Sequence, residues 1–506
     1  MSRRKLWSAA AGNLSTNGCG GGVLARVTDL TYSSAVELLA DLDARRLSAR
    51  ELLDVHVERH EQVHGEINAV VATDLERARA DAAAVDEARV RGERLGQLAG
   101  LPMTIKDGFD VAGLPAVSGS PALVGRPKDC SDADVVASAR RAGAVLWGKT
   151  NVPLMLEDWQ SYNKVYGATN NPYDLTRTPG GSSGGAAAAL AAGVTPLEIG
   201  SDIAGSLRIP ANFCGVYALK PTFGVLSPRG SVPPGPDIHV DVDLLVAGPM
   251  ARTAADLRLL WDVLCGRPSA TPTEVTGARV ALWLDEPEFV VSEQVRGGLL
   301  AAADALRGQG VAVEVTAPVP AGELLDTYLA LLFPILTSGL PDEVFARLLA
   351  ERPAAEAALA AGTNRYGPEA FAVYGTAIYR DVAMAQVTRQ RLKNRLAHWF
   401  ASGWDAVLCP VAPMPAFAHQ HDDTIALRVL EMDGGQVNYS RLFDWVALAS
   451  ALHAPAVAVP VVHTPEGVPV GVQLIGRWGE ENRLLDFAAA LERATGGFQP
   501  PVHGPA

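Results

Sequence analysis

Two glycine–serine turns constrain this chain more than any other feature of its sequence. The first, GGSSGG at 180–185, runs into the alanine-rich stretch AAAALAAG at 186–193; the second, IAGS at 203–206, follows the apolar segment TPLEIGSD at 195–202. An alanine run forms helix readily, and a glycine-rich turn at a helix start points several backbone N–H groups one way. The expected order is turn, helix, strand, turn, second helix from near Ser206, which is a compact α/β unit. Ser182, Ser183 and Ser206 then sit beside donors that can stabilise an anion.

The flanking chain continues the alternation. Ser34-x-x-Glu37 and Ser48-x-x-Glu51 are capping-box starts, each followed by helical apolar spacing, so two or three amphipathic helices fill 33–93. A strand is expected at Met103–Lys106, closed by Asp107-Gly108, then a helix at 133–142 and a strand at 144–148. Residues 157–179 are polar and Pro-punctuated and read as loop. Between about 265 and 435 the chain is rich in Ala and Leu, reads as mostly helical, and carries no decodable motif. PAVAVPVVHTPEGVPVGVQLIG reads as a hairpin turning at Glu466-Gly467, and 480–495 as a closing helix.

Composition narrows the function. Hydrophobic residues at 48% and charged residues at 20% describe a globular chain, and a net charge of −13 argues against nucleic acid or an anionic membrane as partner. A small neutral substrate suits it better. No window holds the run of apolar residues that a membrane span needs. Residues 1–28 read as a flexible tail, too polar for a signal-peptide core. The five cysteines, Cys19, Cys130, Cys214, Cys265 and Cys409, are odd in number and widely spaced, with no C-x-x-C, and read as reduced thiols of a cytoplasmic protein.

Seven lysines stand against 36 arginines, and Lys106 ends an apolar strand instead of lying on a solvated helix face. A desolvated lysine loses its charge near neutral pH and can act as a base. With the serine turns, this points to a Ser/Lys hydrolase; the bland alternative is that the turns are only turns and Lys106 an edge-strand charge.

Over 180–211, GGSSGGAAAALAAGVTPLEIGSDIAGSLRIPA closely resembles the signature of the amidase-signature hydrolases, and the likeness extends to GLPMTIKD at 100–107, GKTNVP at 148–153, FCGVYALKPTFG at 213–224 and VPVGVQLIG at 468–476. The resemblance implies an α/β fold, a large mixed β-sheet core wrapped by α-helices, as one domain over 29–500 with a variable, substrate-facing region at about 265–435. It also implies a Ser-Ser-Lys triad: Ser206 as the serine that forms the acyl-enzyme, Ser182 as proton relay after a cis peptide bond, and Lys106 as base. Ile203, Ala204, Gly205 and Ser206 match the backbone oxyanion hole, and Leu156 falls where relatives line the acyl cavity. Many relatives carry Gly-Gly before the nucleophile; here it is Ala204-Gly205, and a positive φ at 204 would strain alanine. Asp202 and Arg208 are expected to brace the turn.

Three other motifs compete. His60-Glu61-Gln62-Val63-His64 matches H-E-x-x-H, yet it sits on a charged helix face expected to end at Gly65 and lacks a third ligand downstream. GGSSG read as a nucleophile elbow, with His453 as base, needs a preceding strand that RTPGG does not supply. Ser161-x-x-Lys164 has no companion motifs and reads as chance. The expected activity is therefore hydrolysis of a carboxylic amide, with aryl amides and carbamates (urethanes) among the candidates, an uncharged apolar or aromatic acyl group, and neither metal nor organic cofactor. A homodimer is left open. The rival readings are the glutaminase subunit of a tRNA-dependent amidotransferase and a catalytically silent binding protein, the latter opposed by intact Ser182, Ser206 and Lys106. Hydrolysis is expected to survive EDTA unchanged, and His60→Ala and His64→Ala to stay near full activity; loss on chelation that zinc restores would overturn the serine reading.

Overall fold

The computed structural model describes residues 30–126, 131–232, 241–268, 270–422 and 424–501. The tail expected over 1–28, Cys19 and Cys130 lie outside the described residues.

Both capping boxes form. Ser34 and Ser48 each accept the N–H of the glutamate three residues on, opening α1 (Ala35–Asp43) and α2 (Ala49–Ile67). The helix α2 does not end at Gly65: it runs to Ile67 and is capped by Asn68 in the left-handed conformation, φ 52° and ψ 47°. Asparagine tolerates that conformation well enough to end a helix where the sequence suggested glycine. After β1 (Val70–Thr73) and α3 (Leu75–Val90) come β2 (Pro102–Lys106), α4 (Asp134–Arg141) and β3 (Val145–Thr150), close to their expected places.

The alanine run forms α5 (Gly184–Ala191), followed by β4 (Leu197–Asp202) and the short α6 (Arg208–Phe213). The second turn is thus two residues longer than expected before its helix begins. Next come β5 (Tyr217–Lys220), β6 (Val246–Ala251) and α7 (Ala254–Leu264).

The stretch 265–435 departs from its helical reading. It holds α8 (Glu293–Gly308), α9 (Ala321–Thr337), α10 (Asp342–Ala360), α11 (Pro368–Gly375) and α12 (Tyr379–Ala401), but also β7 (Arg279–Leu282), β8 (Ala312–Val315) and β9 (Ala406–Pro410). A four- or five-residue apolar run has no periodicity that separates a short strand from a buried helical turn. The chain closes with α13 (Ala447–Ala451), the hairpin β10 (Ala456–His463) and β11 (Pro469–Ile475), and α14 (Glu481–Thr495). Gly467 takes φ 84° at the tip of that hairpin.

Eleven strands form one mixed sheet in the order β1-β3-β2-β4-β6-β5-β10-β11-β9-β7-β8. Alternate residues feed two cores, as the pleat requires. Ala406 and Leu408 of β9 point into one, with Val457 and Val459 of β10; Val407 and Cys409 point into the other, with Ala456 and Ala458. Every residue of α5 is buried, and its alanines divide between both cores. A larger side chain has no room there.

The start of α5 is equally tight: a Cβ on Gly185 would lie 2.3 Å from the Asn151 amide nitrogen, whereas one on Gly65 meets nothing within 4 Å. Gly185→Ala is expected to lower stability by about 1–3 kcal/mol or more through overpacking, and Gly65→Ala to raise it by roughly 0.5–1 kcal/mol through helix propensity. Urea midpoints at unchanged slope would read both; equal effects would contradict this packing.

Candidate active site

Lys106 is the last residue of β2, and Ser201 and Asp202 close β4, its parallel neighbour. The site therefore sits at the carboxyl ends of adjacent parallel strands, where open α/β sheets place their ligands. Both glycine–serine turns come to this point. The Ser183 N–H donates to the Ser206 carbonyl at 3.1 Å, and the Gly181–Ser182 peptide is cis.

Lys106 Nζ lies 2.8 Å from Ser182 Oγ and 3.0 Å from Ser201 Oγ. Its side chain is fully buried, and among the described residues no carboxylate comes within ion-pair distance. Burial pulls its pKa down to about 7, against the opposing influence of Asp202 and Glu198. Glu198 is itself wholly buried and is pushed up to about 7, which weakens its hold on the lysine proton. Two other lysines are as deeply buried. Lys149 is paired with Asp107 at 3.3 Å, and Lys220 is bound to the carbonyls of Pro221 and Ala454, so of the three only Lys106 meets side-chain hydroxyls.

In the first turn, the Gly184 N–H donates to Ser161 Oγ and the Gly185 N–H to the Asn151 carbonyl, so these two donors are taken up inside the protein. In the second turn, the Gly205 N–H donates to Asp202 Oδ1 at 2.8 Å, while the N–H groups of Ile203, Ala204 and Ser206 have no acceptor among the described residues. Gly205 holds φ 88°, and a Cβ there would strike Val446 at 2.7 Å. Positive φ thus falls on 205 and not on 204, so Ala204 is unstrained; its side chain packs into the second core.

Asp202 and Arg208 brace the turn as expected. Arg208 grips both carboxylate oxygens of Asp202 at 3.0 Å and also donates to Gln473, Ser450 and the Val446 carbonyl. Neither side chain is exposed at all. Leu156 takes φ 66° and lines a cavity of about 650 Å³ together with Ser182, Ser201, Ile203 and Ser206.

Among the described residues, no histidine of the competing motifs lines this cavity. The rings of His60 and His64 lie 4.7 Å apart on α2, and His60 packs edge-on against Trp147. His453 stacks on Phe223 and bonds to Asp243. Ser161, which by its motif reads as chance, has a part in the site's frame: its hydroxyl donates to the Gly180 carbonyl and accepts from Gly184, so it ties the first turn at both ends. Also unforeseen are Ser201 beside Lys106, and two donors that hold the second turn's carbonyls. The Tyr328 hydroxyl donates to the Ile203 carbonyl at 3.0 Å and the Trp159 indole to the Ala204 carbonyl at 2.8 Å. In a trans peptide the carbonyl and the N–H point opposite ways, so Tyr328 turns the Ala204 N–H away from itself. Both side chains come from segments remote in sequence, and no local pattern announces them.

The model of the amidase family matches residues 51–485. The chain belongs to the amidase-signature family. It is 33% identical to a glutamyl-tRNA(Gln) amidotransferase subunit from Synechococcus sp. (strain CC9605) over 90% of this chain and 94% of that one. It is 32% identical to AmiB2 of Mycobacterium bovis, an amidase by name, over 92% and 97%. A crystal structure of an amidase superposes with a TM-score of 0.76 at 29% identity, covering 91% of this chain and 99% of the other. This amidase is accordingly an enzyme that hydrolyses amides. Arg208→Met in it is expected to strand the Asp202 carboxylate without its counter-ion and to cost about 3–5 kcal/mol, read as a fall in the denaturation midpoint. An unchanged midpoint would remove the pair as a brace.

Proposed function

We propose that this amidase works through Ser206 as nucleophile, Ser182 as proton relay and Lys106 as base. The observation that carries the reading is a buried lysine without a carboxylate partner, 2.8 Å from Ser182, beneath a cavity onto which Ser206 also opens. Neutral Lys106 accepts the Ser182 proton as Ser182 accepts that of Ser206, and the Ser206 oxygen adds to the amide carbonyl. The oxyanion is held by the N–H groups of Ile203, Ala204 and Ser206, while Gly205 supplies the bend. The relay then runs backward and protonates the leaving nitrogen; water, deprotonated along the same path, releases the acid. No step calls on a metal or cofactor.

Leu331, Pro334, Ile335, Val382 and Gln386 line the cavity, which supports reading 265–435 as the substrate-facing region. The glutaminase alternative is kept by the amidotransferase relatives. Against it, no lysine or arginine is among the described residues lining the cavity to hold glutamine's carboxylate, which favours a free amidase acting on apolar or aromatic amides and carbamates. Free Cys214, Cys265 and Cys409 are compatible with a cytoplasmic place of action, and no helix among the described residues is long and apolar enough to cross a membrane.

A lysine base works only when neutral, so activity is expected to rise with pH through about 7 to a plateau and to fall below it as Lys106 takes up a proton. Lys106→Ala is expected to cost on the order of 10²-fold or more in kcat with the acidic limb altered in shape. Ser206→Ala is expected to abolish fluorophosphonate labelling, and Ser182→Ala to slow it without moving its site. Label on Ser182 would exchange the two serine roles. A Lys106 variant with the parent profile and rate would end the mechanism.

A further inference from the structure

The walls of the active-site cavity are mostly apolar, built from side chains such as Leu156, Leu331, Pro334 and Ile335, yet two carboxylates also line it. One of them, Asp243, is already matched, 2.8 Å from His453 Nε2 and 2.7 Å from Arg389. The other, Glu157, has no hydrogen-bond or ion-pair partner among the described residues for its carboxylate, and none of the described residues lining the cavity with it is a lysine or an arginine. Lys106 lies buried behind Ser182, and the adjacent Asp158 is paired with Arg428.

The backbone holds Glu157 there at a cost. Met155 and Leu156, neither of them glycine, take φ 48° and φ 66° in succession just before it. Such residues cost on the order of 1–3 kcal/mol each and persist where the surroundings over-determine them. The surroundings here do so: the Met155 N–H donates to the Ser118 carbonyl, the Glu157 N–H to the Leu154 carbonyl, and Leu156 fills the space that Gly108 leaves, 2.8 Å from where a Cβ would stand. A surface loop with no task has no need of two left-handed residues. Glu157 is exposed at the cavity's edge, and the partial desolvation of its carboxyl by these walls raises it above the usual carboxylate range with no cation to bring it down, the state of an acid that gains by meeting a positive ligand. A net charge of −13 draws cations toward the mouth.

We propose that Glu157 selects amide substrates that carry a positively charged nitrogen, an ammonium or a guanidinium, at the end of an apolar body. This rests on the Ser206 reading of the same cavity, and it amends the expectation of an uncharged acyl group: the apolar walls take the body of the substrate, and one carboxylate takes its charged end.

The test compares kcat/KM for anilide pairs identical but for an ammonium or a methyl group at the end of the acyl chain, and for pairs with the same change on the amine side. A charged hydrogen bond contributes roughly 1.5–3 kcal/mol, so the cationic member of at least one pair is expected to be favoured about 10- to 100-fold. Glu157→Gln is expected to bring that ratio near one, and Glu157→Lys to favour a carboxylate-terminated analogue. Neutral members cleaved as well as cationic ones in every pair, or a preference that survives Glu157→Gln, would overturn the inference. A second measurement needs no turnover: n-hexylammonium and n-hexanol are titrated onto Ser206→Ala with Glu157 present or replaced by Gln. Tighter binding of the ammonium, lost with Glu157, supports the assignment even where no anilide is cleaved, an outcome that would count against Ser206 alone; equal binding in both proteins would sink it.

Discussion

The site is organised around one buried charge pair, Asp202 with Arg208. A carboxylate and a guanidinium with no exposure at all are tolerable only when every lone pair and donor is met, and here they are met by parts that must therefore stay in place. Asp202 receives the N–H groups of Gly205 and Leu207 besides the arginine fork, and Arg208 reaches Val446 at the start of α13, Ser450 within it and Gln473 of β11. One pair thus joins the end of β4, the turn that carries Ser206 and the far half of the sheet. The bend at Gly205 follows from it, because the carboxylate captures the Gly205 amide and leaves its neighbours' amides unclaimed.

Desolvation does the second part of the work. Three lysines are buried, and their surroundings divide them: Lys149 keeps an ion-pair partner, Lys220 is occupied by backbone carbonyls, and Lys106 meets the hydroxyls of Ser182 and Ser201 besides the Ser201 carbonyl. Burial without a counter-ion favours the neutral amine, so the same physics that would destabilise a stray lysine equips this one to accept a proton. Glu157 is a looser counterpart, an exposed carboxylate at the edge of an apolar cavity with no ion-pair partner among the described residues.

Much of this is legible in the chain. The capping boxes at Ser34 and Ser48, the alanine helix, the strand ending at Lys106 and the hairpin at Glu466-Gly467 are local patterns, set by neighbours a few residues away, and the structure forms each of them. The end of α2 and the strands β7, β8 and β9 escape such a reading because the deciding contacts are not local: asparagine can cap as glycine does, and a short apolar strand declares itself only by the sheet it joins.

The sequence by itself determined the family and the fold class and singled out the two serines and the lysine, since helix propensity, turn chemistry and a motif of fixed spacing are properties of the chain. Tertiary structure alone decided which N–H groups remain open, that Tyr328 and Trp159 hold the carbonyls of the turn at 203–206, that Ser161 ties the other turn, and that Glu157 lines the cavity with no partner among the described residues. These depend on pairings between residues 19 to 125 positions apart, and whether a buried polar group is satisfied cannot be known until the fold has brought its partners to it or left it without one.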